Sequence, residues 1–243
     1  MKAQTMDRHL YTQIGLDSGS LTMLGAVVKS FGEPGEYRGT VRKGDRHAGV
    51  FYLSVDKDSP VARADIDLAA FDRGASAAGS GGCGCGEPRC GCGGKEPRYS
   101  VNPRGYALFR VSGGAGGYAV HVRKAAEADD TPVFDSRKLG EGAVFSAMLL
   151  RPGRYAVTNT LGKARAEVVV AYPQRTDRPY RPPAPVRVTV TAKGFDQDGI
   201  RLGPAQGLIF ECRTEARIKI ELVEPDDGPR GRDRRRRTAR KPR

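Results

Sequence analysis

Residues 217–222 read Arg-Ile-Lys-Ile-Glu-Leu, so apolar and charged side chains alternate strictly along this stretch. Successive side chains of a β-strand point to opposite faces, and the alternation therefore predicts a strand with one buried and one solvated face. Similar alternations recur along the chain, separated by Gly, Pro, Asp and Asn. They cover residues 51–55, 64–68, 107–111, 118–122, 155–157, 186–190 and 208–212. The sequence predicts an all-β protein.

Two further stretches and two single residues carry local predictions. Residues 143–150 form a near-continuous apolar run, which suits a strand buried on both faces or a short helix. The glycine-rich run 113–117 predicts a hairpin turn between its flanking strands. His121 falls on the face opposite its apolar neighbours, which predicts exposure. Cys212 shares a face with Phe210, which predicts a small buried apolar residue rather than a metal ligand.

Four cysteines lie within ten residues in a run of glycines, and they are Cys83, Cys85, Cys90 and Cys92. Two Cys-x-Cys pairs can place four sulfurs around one soft cation, and thiolates suit Zn, Cu(I) and iron–sulfur centres. The prediction is a closed site of four thiolates, with Zn as the leading cofactor and Cu(I) or an iron–sulfur centre as alternatives. Disulfides and unliganded thiols in a flexible loop stay open, because Cys-x-Cys matches the usual zinc spacing only loosely.

Function follows from this cluster by three routes. The leading interpretation is a non-catalytic structural or interaction protein in which zinc orders the loop. The alternative is a metal-handling protein whose accessible sulfurs pass Cu(I) or Zn to a partner. The third interpretation is an enzyme with a site not visible in the sequence. It ranks last because His9, His47 and His121 are scattered and have no acid–base partner nearby in sequence.

The net charge of +13 is concentrated at the C-terminal end. Residues 230–243 contain eight Arg and one Lys against one Asp, and such a composition predicts a disordered tail. The predicted polyanion-binding residues are Arg230, Arg232, Arg234, Arg235, Arg236, Arg237, Arg240, Lys241 and Arg243. The predicted partner is a nucleic acid or an acidic protein, bound with strong salt dependence. A solvated extension that only aids solubility is the alternative.

No run of eighteen apolar residues is present, so no membrane span is predicted. Residues 1–24 lack an apolar signal core, and a cytoplasmic location with reduced cysteines is the expectation.

The predicted fold is all-β, as one or more Greek-key β-sandwiches with an inserted Gly/Cys-rich loop and a disordered basic tail. The C-terminal strands are few, so we expect them to pack on the preceding sandwich or to complete a sheet in a neighbouring copy by strand exchange. The predicted segments are an N-terminal β region (1–73), the Gly/Cys-rich loop (74–99), a β-sandwich region (100–173), a Pro/Arg linker (174–185), C-terminal strands (186–225) and the basic tail (226–243).

Two segments resemble pieces of the cupredoxin family, the Greek-key sandwiches that hold blue copper. Residues 186–223, with Phe195 followed by Asp196, resemble the opening strands of that family. Residues 149–172, with Pro-Gly-Arg-Tyr before a Val-rich strand, are similar to its closing hairpin. The resemblance implies a sandwich architecture but no blue-copper site, because residues 156–163 contain none of the Cys, His and Met ligands.

Overall fold

The structure, a computed structural model, describes residues 14–72, 96–126, 132–173 and 180–228. Regular structure in these residues is almost entirely β, which confirms the all-β prediction. In the first half the strands are β1 (Gly15–Asp17), β2 (Gly25–Ser30), β3 (Gly35–Lys43), β4 (Arg46–Val55), β5 (Arg63–Asp67), β6 (Arg98–Val101), β7 (Tyr106–Arg110) and β8 (Tyr118–Lys124). In the second half they are β9 (Phe134–Asp135), β10 (Val144–Met148), β11 (Gly153–Asn159), β12 (Arg165–Val170), β13 (Val186–Thr191), β14 (Gly194–Phe195), β15 (Gly199–Leu202), β16 (Gly207–Cys212) and β17 (Ile218–Pro225).

The strands form three mixed sheets. A seven-stranded central sheet has the order β14-β13-β16-β10-β2-β7-β5. A five-stranded sheet, here the N-sheet, has the order β6-β4-β3-β8-β9. The second five-stranded sheet, here the C-sheet, has the order β1-β17-β11-β12-β15.

The buried faces of all three sheets belong to one hydrophobic cluster. Phe109 of the central sheet joins it to the N-sheet, because its ring lies 6.1 Å from that of Phe51 and 5.4 Å from that of Phe134. Ile218 and Ile220 contribute the C-sheet face, as their alternation predicts. The arrangement is sandwich-like. In the two outer sheets, the N-sheet and the C-sheet, apolar residues point inward and charged residues point outward.

The two halves of the chain repeat one pairing scheme. In the first half β3 pairs with β4 and β8, β4 pairs in parallel with β6, and β7 pairs with β2 and, in parallel, with β5. In the second half β11 pairs with β12 and β17, β12 pairs in parallel with β15, and β16 pairs with β10 and, in parallel, with β13. We call β1–β8 repeat 1 and β9–β17 repeat 2, in which β14 has no counterpart.

Short sequence matches support the equivalence of the repeats. Pro-Gly-x-Tyr stands at 34–37 and again at 152–155, 118 residues later. The glycines share a backbone conformation, with φ of 148° at Gly35 and 146° at Gly153. Each tyrosine hydroxyl donates a hydrogen bond to the carbonyl four residues earlier, at 2.8 Å from Tyr37 and 2.7 Å from Tyr155. The motif therefore opens β3 and β11 in the same way.

The repeats meet at a pseudo-two-fold axis in the central sheet. Val27 is opposite Phe109 within repeat 1, and Phe145 is opposite Phe210 within repeat 2, so Val27 and Phe145 occupy equivalent positions. Between the repeats, Val27 is opposite Phe145 in the antiparallel pair of β2 and β10. A residue that pairs with its own counterpart lies on a two-fold axis.

The first strand of each repeat is exchanged between the outer sheets. β1 pairs with β17 of repeat 2, and β9 pairs with β8 of repeat 1. A buried serine follows each exchanged strand, and its hydroxyl accepts a backbone hydrogen bond, Ser18 from Ile218 N at 3.1 Å and Ser136 from Val120 N at 3.0 Å. The C-terminal strands thus pair within the chain.

The cysteine-containing segment corresponds to extra length in repeat 1. Pairing makes Ile66 equivalent to Val188 and Tyr99 equivalent to Ile200. The connection takes 33 positions in repeat 1 and 12 positions in repeat 2, which is a difference of 21. Residues 74–94, the Gly/Ala/Ser/Cys-rich run, have that length.

Two of the local predictions have a clear outcome. The hairpin predicted at 113–117 is wrong, because β7 lies in the central sheet and β8 in the N-sheet, so the segment crosses between sheets. Cys212 is 1% exposed, which confirms its predicted burial, and desolvation raises the pKa of its thiol to about 12.

Candidate anion-binding site

The predicted ligands Cys83, Cys85, Cys90 and Cys92, and the basic residues from Arg230 to Arg243, lie outside the described residues. Within the four described ranges, no group of three or more His, Cys, Asp or Glu side chains is placed to hold a metal ion. The same ranges contain no helix long and apolar enough to cross a membrane.

A cleft of about 320 Å³ lies on the outer face of the N-sheet. We call it the arginine cleft, and its lining residues are Arg38, Thr40, Arg42, Ala119, Val120, His121, Arg123, Asp135 and Arg137. Among the residues that the structure describes, four arginines therefore surround it against one carboxylate. Its volume is within the range of small-ligand pockets, about 300–1,000 Å³.

Strand register places these side chains in rows across β3, β8 and β9. The first row has Arg38 opposite Arg123, and the second has Thr40, His121 and Asp135 side by side. The third row has Arg42 opposite Ala119, followed by Arg137 just beyond β9. Neighbouring strands lie about 4.8 Å apart and alternate residues about 6.8 Å apart, so the cations are within reach of one small ligand.

Ala119 forms the floor of the arginine cleft. Its side chain is buried and short, and it lies next to Arg42 on β3 and two residues from His121 on β8. Longer side chains rise on every side, so the third row has a depression in the middle. His121, predicted to be exposed, is half-buried on the wall of this depression.

Local hydrogen bonds fix two of the arginines. The Arg42 guanidinium donates to the carbonyl of Asp45 at 2.7 Å, within the β3–β4 turn. The Arg137 guanidinium donates to the carbonyl of Gly44 at 2.9 Å, which joins the end of β9 to the same turn. Both guanidinium groups bond to neutral carbonyls here, so their charge is not neutralised by these contacts.

The equivalent position in repeat 2 is closed by an ion pair. Register makes Ala119 equivalent to Arg217 and Asp135 equivalent to Asp17. The Arg217 guanidinium donates to both carboxylate oxygens of Asp17, from Nε at 3.0 Å and from Nη2 at 2.9 Å. The hydrogen bonds to Asp17 raise the pKa of Arg217 most strongly, and the charge of Asp135 adds to this effect.

The outer face of the C-sheet also differs in charge from that of the N-sheet. Ala156 and Thr160 stand where repeat 1 has Arg38 and Arg42, and Glu221 stands where it has Arg123. Beside the C-sheet, Gly19 stands where the N-sheet has Arg137, and an added Cβ there would lie 2.7 Å from Arg217 Nε. One face is therefore open and basic, whereas its counterpart is filled and nearly neutral.

The sequence contained only a partial signal for this site. Arg38, Thr40 and Arg42 share one face of β3, but neither β8 as its neighbour nor β9 could be inferred from local alternation. Comparison with known proteins adds no identification, since no family model, curated protein or solved structure matches the chain.

Proposed function

We propose that the protein is a non-catalytic binding module that holds an anionic ligand in the arginine cleft. The observation that carries this proposal is the open floor at Ala119 between Arg42, His121 and Arg137, where the other repeat inserts its own arginine. Guanidinium groups bind phosphate, sulfate and carboxylate through paired N–H donors and keep their charge at all physiological pH values. A concave cluster of like charge also speeds the arrival of an oppositely charged ligand.

The predicted polyanion-binding tail suits the same function. Residues 230–243 add a charge of about +8 that is available to the phosphates of a nucleic acid or to an acidic protein. The cleft would hold an anionic group in a defined position, and the tail would attract polyanions whatever their sequence. A truncation after Gly228 is expected to weaken salt-sensitive binding of long polyanions while leaving the binding of small anions in the cleft unchanged.

Isothermal titration of the full chain with inorganic tripolyphosphate at low salt tests the cleft. The variant Arg38→Ser/Arg42→Ser removes two charges from the cleft, and Arg165→Ser/Arg201→Ser removes two charges from exposed positions of the C-sheet. We expect the first variant to bind at least about tenfold more weakly and the second to stay within about twofold of the parent, since each charge-assisted bond contributes about 1.5–3 kcal/mol. Equal weakening of both variants would overturn the proposal.

We propose that the four cysteines bind Zn, which orders the inserted segment and is not required for the fold of the remaining chain. Repeat 2 makes the equivalent connection without any cysteine, which supports this interpretation. Native mass spectrometry with elemental analysis would measure the metal content. One Zn per chain is the expected result, whereas Cu(I) exchange favours the metal-handling alternative and metal-free protein in reducing buffer contradicts both.

Three predictions from the sequence are retained as proposals on sequence grounds alone. They are the cupredoxin-like Greek-key topology without blue copper, assembly with a second copy by strand exchange, and a cytoplasmic location. An enzyme remains the further alternative.

A further inference from the structure

The two repeats place an aspartate at the same point, but within the described ranges only Asp17 forms an ion pair with an arginine side chain. Asp17 accepts the paired N–H donors of Arg217, and its Oδ1 also accepts a bond from Gly19 N at 2.8 Å. Asp135 accepts the corresponding bond from Arg137 N, also at 2.8 Å. The backbone setting of the two carboxylates is therefore the same.

The arginine that would complete the pair is missing in repeat 1. Ala119 stands at its position, and among the described residues Asp135 makes no ion pair. Arg217 is close enough to sense the charge of Asp135, but both of its side-chain hydrogen bonds go to Asp17. The Asp135 carboxylate therefore borders the arginine cleft at the point where Ala119 replaces the arginine of the other outer sheet.

A ligand that fills this depression must combine two kinds of group. At Asp135 it needs a planar pair of N–H donors, because that is what the equivalent carboxylate of Asp17 receives at the C-sheet. Towards Arg38 and Arg42 it needs an anion, because those positions are cationic. Guanine carries N1–H and N2–H side by side on its Watson–Crick edge, and its nucleotides add the phosphates.

We propose that the arginine cleft binds a guanine nucleotide, with N1–H and N2–H donating to the Asp135 carboxylate above Ala119 and the phosphates between Arg38 and Arg42. The inference rests on the proposed function, since it specifies the ligand of the same cleft. Adenine and hypoxanthine each lack this donor pair, so they leave the carboxylate without a matched partner.

The first experiment compares GDP, IDP and ADP by isothermal titration on the full chain. We expect GDP to bind at least about tenfold more tightly than IDP, which lacks the 2-amino group, because one charge-assisted hydrogen bond is then lost. Asp135→Asn keeps an acceptor for Arg137 N but replaces one carboxylate oxygen by a donor. This variant is expected to abolish the preference for GDP, whereas Asp45→Asn, with the same charge change in the adjoining turn, is expected to preserve it.

A second variant rebuilds the closed arrangement found at the C-sheet. Ala119→Arg is expected to fill the depression, pair with Asp135 and reduce GDP affinity at least about tenfold, with a melting temperature at or above that of the parent. Single-stranded UGU distinguishes a base within a strand from a free nucleotide, with UAU as the control for the base. Tighter binding of UGU than of GDP indicates a base within a strand, and tighter binding of GDP indicates a free nucleotide.

The outcomes separate the two proposals. Equal affinities for all three diphosphates, unchanged by Asp135→Asn, would overturn the guanine inference and leave anion binding intact. No binding of any diphosphate, together with tripolyphosphate binding unaffected by Arg38→Ser/Arg42→Ser, would overturn both.

Discussion

Val27 pairs with Phe145, and Phe145 occupies in repeat 2 the position that Val27 occupies in repeat 1. The pair marks the centre of a seven-stranded sheet to which each repeat contributes strands, so the repeats share one hydrophobic core. The arginine cleft lies on the N-sheet, and the cysteine-containing sequence is an insertion within repeat 1. Repeat 2 consequently serves as an internal reference for what repeat 1 has gained.

The two buried serines that follow the exchanged strands should contribute equally to stability. Ser18→Ala and Ser136→Ala each leave a buried backbone N–H without its side-chain acceptor, because both serines are 0% exposed. We expect each change to lower the free energy of unfolding by about 1–3 kcal/mol in urea titrations. A loss in one serine variant with no effect in the other would contradict the equivalence of the exchanged strands.

The paired glycines of the Pro-Gly-x-Tyr motif should differ in tolerance of alanine. Gly35 and Gly153 share a positive φ that disfavours any side chain, but an added Cβ meets nothing within 4 Å at Gly35. At Gly153 it lies 2.4 Å from the carbonyl oxygen of Glu224. Gly35→Ala thus controls for backbone strain, and we expect Gly153→Ala to cost about 1–3 kcal/mol more in thermal unfolding. Equal losses would argue against the close contact between β11 and β17.

Deletion of residues 74–94 should leave the fold intact. Repeat 2 connects the equivalent strands with 21 fewer positions, so a chain shortened by that length still spans the connection. We expect circular dichroism to retain the β-signature and the melting temperature to change by only a few degrees, with all bound zinc lost. Global unfolding of the deletion variant would show instead that the cysteine segment is needed for folding.

Cys212 should be chemically silent in the native protein. Burial raises the pKa of its thiol from 9.0 to about 12, and the thiolate is the reactive form. In a variant with serine at 83, 85, 90 and 92, no thiol should react with Ellman's reagent at pH 8 until urea is added. Because the unfolded thiol ionises first, the contribution of this residue to stability is present below pH 9 and lost as the pH rises towards 12. Native labelling as fast as in urea would contradict its burial.

Local alternation was sufficient to predict strands such as β4, β8 and β17, because a period of two needs no knowledge of neighbours, whereas the short β1 and β9 carry no such signal. It predicted the buried faces around Phe51, Phe109 and Ile220. Strand pairing is non-local, and the error at 113–117 arose there, since a glycine-rich turn between two strands does not reveal whether they pair. The recurrence of Pro-Gly-x-Tyr at 34 and 152 was a readable signal of the repeat.

The candidate site was less accessible to sequence reasoning than the fold. An alanine such as Ala119 attracts no attention in a strand, and its meaning comes only from comparison with Arg217 in the equivalent place. Composition directed attention to the cysteines and the basic tail, whereas the arginine cleft arises from three strands that are distant in sequence.

The exchange of β1 and β9 has a consequence for the history of the chain. Swapped first strands around a two-fold axis are the geometry of a domain-swapped homodimer whose subunits have become one polypeptide. Two identical subunits must carry two identical sites, because each mutation appears twice. Fusion removes that constraint, so one copy of the ancestral site can be sealed by its own arginine while the other is left open to evolve specificity.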